Sequence, residues 1–167
     1  MSGSISYTGI CLIVNNFSFP NHPLPGAGVN EDLLTGLFRD LGFQVMVKQN
    51  LSGPAIREAA EEVAAKDHSQ YSAFVFCILS HGAKNDGIVG VGGTSISVWE
   101  LMHLFYADSC QSLQGKPKLF FIEKCRGQGG SPCSSLEIPR SVCPQEADFL
   151  LAFATAPGGL RNRVTLH

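Results

Sequence analysis

The sequence predicts a single α/β domain on a mostly parallel, doubly wound sheet, and three observations carry that expectation. Six short apolar runs, Ile10–Val14, Phe43–Val47, Ala73–Leu79, Ile88–Val91, Leu119–Ile122 and Phe149–Ala154, read as strands. Several are apolar at nearly every position rather than alternating, which is the pattern of strands buried on both faces. Helical periodicity fills the intervals, and strand alternating with helix is the grammar of a doubly wound sheet.

Each helix carries its own signals. In Asn30–Leu41 the pairs Leu33/Leu34 and Leu37/Phe38, then Leu41, recur at helical spacing, and Gly42 supplies the stop. In Ser52–Lys66 one stripe is formed by Ile56, Ala59, Ala60, Val63 and Ala64, with Ser52 as N-cap and Pro54 in the first turn. In Ser97–Phe105 the Ser97 and Glu100 pair forms a capping box, and Val98, Leu101, Met102 and Phe105 face inward. Gly90, Gly92 and Gly93 stand where a hairpin from Ile88–Val91 to Thr94–Ile96 would turn. Residues Gly127–Pro144, rich in Gly, Ser and Pro, read as a linker.

Composition narrows the function classes. Twelve Lys plus Arg against fourteen Asp plus Glu give a net charge of −2, so a basic nucleic-acid footprint is excluded as the default. The longest apolar run, Ala73–Leu79, is too short to span a bilayer, and the N-terminus lacks a signal-peptide pattern. Six cysteines occur, but Cys11 and Cys77 sit within apolar runs, so a reduced, cytosolic protein is expected. Cys110, Cys125, Cys133, Cys143 and His103 have no metal-site spacing, and no metal is expected. Gly26-Ala27-Gly28 and Gly127-Gln128-Gly129-Gly130 lack the residues of nucleotide and phosphate loops, so no cofactor is expected either.

Chemistry in an open parallel sheet sits beyond the carboxyl ends of the strands. His81 follows one such end in Ser80-His81-Gly82, and Cys125 follows the next in Glu123-Lys124-Cys125-Arg126-Gly127. Neighbouring strands lie about 4.8 Å apart, so if these two pair, imidazole and thiol meet. A thiol needs a base or cation beside it to ionise near neutral pH, and histidine titrates there. The Gly82 and Cys125 amides are placed to hold a developing oxyanion, which makes the chemistry acyl transfer from a peptide or ester. The remaining cysteines read as buried small hydrophobes, and His22, His68, His103 and His167 as solvated.

These residues resemble the caspase family. The resemblance rests on Cys11–Phe17 (CLIVNNF), Ser80-His81-Gly82, Gly115–Ile122 (GKPKLFFI), Cys125-Arg126-Gly127, Glu146–Leu150 (EADFL) and Thr155–Gly158 (TAPG). His81 lies 44 positions before Cys125, close to the family interval of about 50. The resemblance implies a caspase–hemoglobinase-like three-layer α/β/α sandwich and a cytoplasmic cysteine endopeptidase of apoptotic or inflammatory signalling, cutting after aspartate. Cys125 would be its nucleophile, His81 its general base and acid, and Gly82 and Cys125 its oxyanion hole. Peptide or protein substrates, full-length caspases and death-signalling adaptors are the implied partners, with no membrane or nucleic acid.

Three departures bear on mechanism. The family holds its substrate aspartate with two arginines and a glutamine. Leu24 stands at the place of the first arginine, no Arg or Lys occurs from Met1 to Phe38, and Glu123 replaces the glutamine. Arg161 resembles the second arginine, so Glu123 and Arg161 are the candidate substrate-binding residues. By the same resemblance, residues 1–126 correspond to a large catalytic subunit, 127–147 to an intersubunit linker and 148–167 to the start of a small subunit. On this reading the fold is C-terminally truncated, with an open sheet edge and uncovered apolar side chains in Phe149–Phe153. No adaptor-type prodomain is expected before the first strand. Three readings follow: a working caspase-type protease, a catalytically weak or inactive homologue that regulates full-length caspases as a decoy, or a hydrolase of altered specificity in which Glu123 and Lys124 fit a pocket that accepts something other than aspartate.

Overall fold

A computed structural model describes residues 6–21, 23–24, 26–83, 87–125, 148–155 and 163–166, without the side chains at 125, 155 and 163–166. Its centre is an eight-stranded sheet. The strands are β1 (Gly9–Asn15), β2 (Phe43–Gln49), β3 (Ala73–Gly82), β4 (Gly87–Val89), β5 (Ser95–Ser97), β6 (Lys118–Cys125), β7 (Phe149–Thr155) and β8 (Arg163–Leu166). Along the main path the order is β2-β1-β3-β6-β7-β8; the first five run parallel and β8 is antiparallel to β7. β4 and β5 form an antiparallel hairpin attached to the end of β3.

Helix α1 (Ala27–Asp40) covers one face; α2 (Gly53–Ala64) and α3 (Val98–His103) cover the other. The near-continuous apolar strands explain this division, because successive residues must be buried on opposite faces. On the α2/α3 side Ile10, Leu12 and Val14 of β1 pack with Phe74, Phe76 and Ile78 of β3, Ile56 of α2 and Leu101 of α3. On the α1 side Cys11, Ile13, Val75 and Cys77 pack with Phe38. Both serine caps form: Ser52 Oγ accepts from the Ala55 amide at 3.3 Å, and Ser97 and Glu100 make the capping box.

The hairpin is shorter than the apolar pattern implied. A Cβ on Gly90 would lie 2.2 Å from the Gly53 nitrogen, so glycine there lets the turn lie against the start of α2. At the entry to β6 the buried Lys118 ammonium donates to Asp148 Oδ2 at 2.8 Å and to the Lys116 carbonyl at 3.2 Å, which satisfies a charge that could not be buried alone. Phe149 and Leu151, expected at an uncovered surface, are buried, and β8, which the apolar pattern did not predict, pairs along β7. The exposed large hydrophobics among the described residues lie instead on α1, at Val29, Leu33 and Leu37, and at its C-cap, Leu41. Their four-residue spacing forms a stripe beside the inward line of Leu34 and Phe38. No helix among the described residues is long and apolar enough to cross a membrane.

Candidate active site

β3 and β6 both run further than their apolar cores suggested. β3 continues through Gly82 and β6 through Cys125, so His81 and Cys125 lie within strands rather than in the loops after them. The ladder makes them direct register partners. Side chains alternate along a strand, and Cys77 and Leu79 of β3 and Phe121 of β6 pack on the α1 side. Positions 81 and 125 share that parity, so the two residues stand in one row on one face, with backbones about 4.8 Å apart.

The chain leaving β1 fixes the imidazole's surroundings. The Phe19 ring lies edge-on to His81, centroids 4.5 Å apart at 62°. Its loop is tied down at several points. The Asn16 amide donates to the Leu79 carbonyl at 2.9 Å, and the Asn16 side chain exchanges hydrogen bonds with the Leu51 backbone at 3.0 and 2.8 Å. Asn50 Oδ1 accepts from the Phe17 and Ser18 amides at 3.1 and 2.9 Å. Asn50 does so from φ 54°, a left-handed conformation that asparagine tolerates better than most side chains. On the opposite side, His81 pairs with Val89 of β4, and Ser80 Oγ donates to the Val89 carbonyl at 2.6 Å.

Gly82 is exposed, and the Lys124 side chain lies against it, its Cδ 3.3 Å from where a Cβ would sit. The Lys124 ammonium lies over the Phe153 ring at 4.8 Å. Glu123, pointing with the other odd positions toward α1, is held by the Asn30 side chain, whose Nδ2 lies 3.2 and 3.4 Å from its two carboxylate oxygens. Leu24 is half-buried and described; Arg161 and the linker at 127–147 lie outside the described residues.

Other candidates separate cleanly from this row. His68 is fully buried rather than solvated: its Nε2 donates to the Val63 carbonyl at 2.9 Å, and burial pushes its pKa down. His103 is exposed, whereas His22 and His167 lie outside the described residues. Cys11, Cys77 and Cys110 are free and buried; a hydrogen bond with the Cys77 thiol, reinforced by burial, pushes the Cys11 pKa up and keeps it protonated. Cys133 and Cys143 lie outside the described residues.

The caspase domain model matches residues 8–165. The chain belongs to the caspase family. It is 39% identical over 159 residues to Caspase-3 of Xenopus laevis, covering 90% of this chain and 56% of that protein. It is 34% identical over 168 residues to Caspase-1 of Spodoptera frugiperda, covering 91% of this chain and 54% of that one. The chain thus spans little more than half the length of these curated relatives. The solved structure of pro-sf-caspase-1 superposes with a TM-score of 0.77 at 32% identity, over 96% of this chain and 67% of that one. The caspase α/β fold expected from the sequence is therefore the fold observed.

Two residues of this candidate site escaped the reading of motifs. Phe19 and Asn30 carry no reactive group, and neither neighbours His81 or Glu123 in sequence. The strand register, which places the end of β1 beside the end of β3, brings Phe19 there, and the start of α1 brings Asn30 to Glu123.

Proposed function

We propose that the chain is the catalytic part of a cysteine endopeptidase, with Cys125 as nucleophile and His81 as general base and acid. The register pairing of His81 with Cys125 carries this reading. His81 takes the thiol proton as Sγ attacks the peptide carbonyl carbon, forming a C–S bond and a tetrahedral oxyanion. The Gly82 and Cys125 amides stabilise that oxyanion. It collapses by breaking the C–N bond, with the imidazolium giving its proton to the leaving amine. Water, deprotonated by His81, then attacks the thioester; the C–S bond breaks, releasing the carboxylic acid and restoring the thiol. Within this reading, residues 1–126 form a large-subunit-like region, 127–147 the linker and 148–167 the start of a small-subunit-like region. The expected setting is cytoplasmic cell-death or inflammatory signalling.

A second reading is favoured by one observation: Glu123 puts a carboxylate two residues before Cys125, where an aspartyl substrate would be repelled. The chain would then bind full-length caspases or their adaptors as a regulator without cleaving aspartyl sites itself. Mass spectrometry of a complex peptide pool, digested with the native chain and with Cys125→Ala, tests both. New termini that require Cys125 support the protease. Identical products from both proteins overturn it, and suppression of a full-length caspase by both proteins alike supports the regulator.

A further inference from the structure

We propose that the subsite beside Cys125 takes a cationic side chain, a lysine or arginine at the residue that supplies the scissile carbonyl, and that Glu123, set by Asn30, selects it. The inference rests on the reading of Cys125 as the nucleophile and names the substrate class of that same site.

Position comes first. Glu123 precedes Cys125 by two residues on β6, hence on the same face and about 6.6 Å along the strand. A carbonyl presented at position 125 holds its own side chain over the neighbouring positions of that face. The long stems of lysine and arginine suit that separation, and their heads donate hydrogen bonds without accepting any.

Charge decides what the position accepts. Asn30 is a neutral partner for Glu123, and none of the ion pairs among the described residues, Lys48–Glu62, Arg57–Glu61 and Lys118–Asp148, involves it. Lys124 alternates to the other face, over Phe153. The segment that supplies both Phe19 and Asn30 contains no Arg or Lys before Arg39. Register places Gln49, Asn15, Leu79 and Glu123 in one row beneath the start of α1. A second carboxylate, Glu31, sits along that row, again held by amides: Asn15 Nδ2 at 2.8 Å and Gln49 Nε2 at 2.8 and 2.9 Å. Asn15 is fully buried, and its Oδ1 is an acceptor without a partner. The start of α1 contributes about half a positive charge, short of balancing two carboxylates. Among the described residues, the crest on this side therefore has acceptors and negative charge in excess. A guanidinium or ammonium supplies what it lacks, and a substrate carboxylate adds to the surplus.

Three peptidyl acyloxymethyl ketones, identical except for arginine, norleucine or aspartate at the reacting residue, test this on the native chain. The Cys125 thiolate displaces the carboxylate leaving group, forming a C–S bond as the C–O bond breaks, and intact mass with peptide mapping gives the rate. The arginine reagent should label Cys125 roughly tenfold faster than norleucine, with aspartate slowest. Glu123→Gln should bring the arginine-to-norleucine ratio close to one. Equal rates, or a preference for aspartate, would overturn the cationic subsite alone. So would a Glu123→Gln protein in which both rates fall and the ratio survives, since that marks Glu123 as a positioning residue for His81. No labelling of Cys125 by any reagent would overturn the thiol-protease reading itself.

Discussion

Phe19, in the chain leaving β1, meets the His81 ring edge-on at 4.5 Å, so the first strand's loop sets the surroundings of the imidazole at the end of the third. Removing that ring takes away one of the contacts that hold the imidazole in the Cys125 row. Phe19→Ala should slow active-site labelling of Cys125 roughly tenfold while leaving the fold intact, since small misplacements of a catalytic group are costly. Labelling kinetics beside a circular dichroism melt check this; an unchanged rate would mean that Phe19 only fills space.

Aspartyl recognition should be recoverable. Fixed positive charge is what an aspartate pocket needs, and a guanidinium supplies it bidentately. Leu24→Arg with Glu123→Gln should tighten binding of a peptidyl aspartyl aldehyde by an order of magnitude or so over the native chain. Titration calorimetry measures it without requiring turnover.

His68 gives the fold an acid-side sensitivity. Burial lowers its pKa, and the nearby Lys116 and Lys66 charges act in the same direction, against the Val63 hydrogen bond and Asp67. The unfolded chain, with an ordinary histidine near 6.5, binds the proton more readily than the native state. Stability from the neutral His68 is therefore complete above about 6.5 and declines as the pH falls toward the lowered native value. Urea midpoints at pH 7.5 and 5.5 should separate more for the native chain than for His68→Gln.

The α1 stripe should govern colloidal behaviour. Val29, Leu33, Leu37 and Leu41 are 52 to 66% exposed and aligned, a contiguous apolar patch of the kind that drives self-association. Leu33→Glu with Leu37→Glu should reduce concentration-dependent light scattering without lowering the melting temperature by more than a few degrees.

The parallel sheet and its helices were legible because burial on both faces leaves continuous apolar runs and two of the helices carry serine N-caps. Ser52 and Ser97 advertise two helix starts by local chemistry alone. His81 and Cys125 were legible as residues, but their place inside strands was not. The polar residues at 80–82 and 123–125 break the apolar pattern, while backbone pairing continues through them. β8 was hidden because Arg163–Leu166 is short and mixed in polarity, and antiparallel edge pairing demands little of side chains. His68 was misjudged because its burial depends on a carbonyl five residues away meeting its Nε2 at 2.9 Å.

The rate of iodoacetamide alkylation at Cys125, followed against pH in the native chain and in His81→Ala, tests the central pairing most directly. In the native chain, labelling should stay fast well below pH 8.5, the range in which an isolated cysteine loses its thiolate. In His81→Ala that advantage should disappear, while Cys11 stays unlabelled in both proteins until denaturant is added. Superimposable profiles from the two proteins would contradict the pairing of imidazole with thiol.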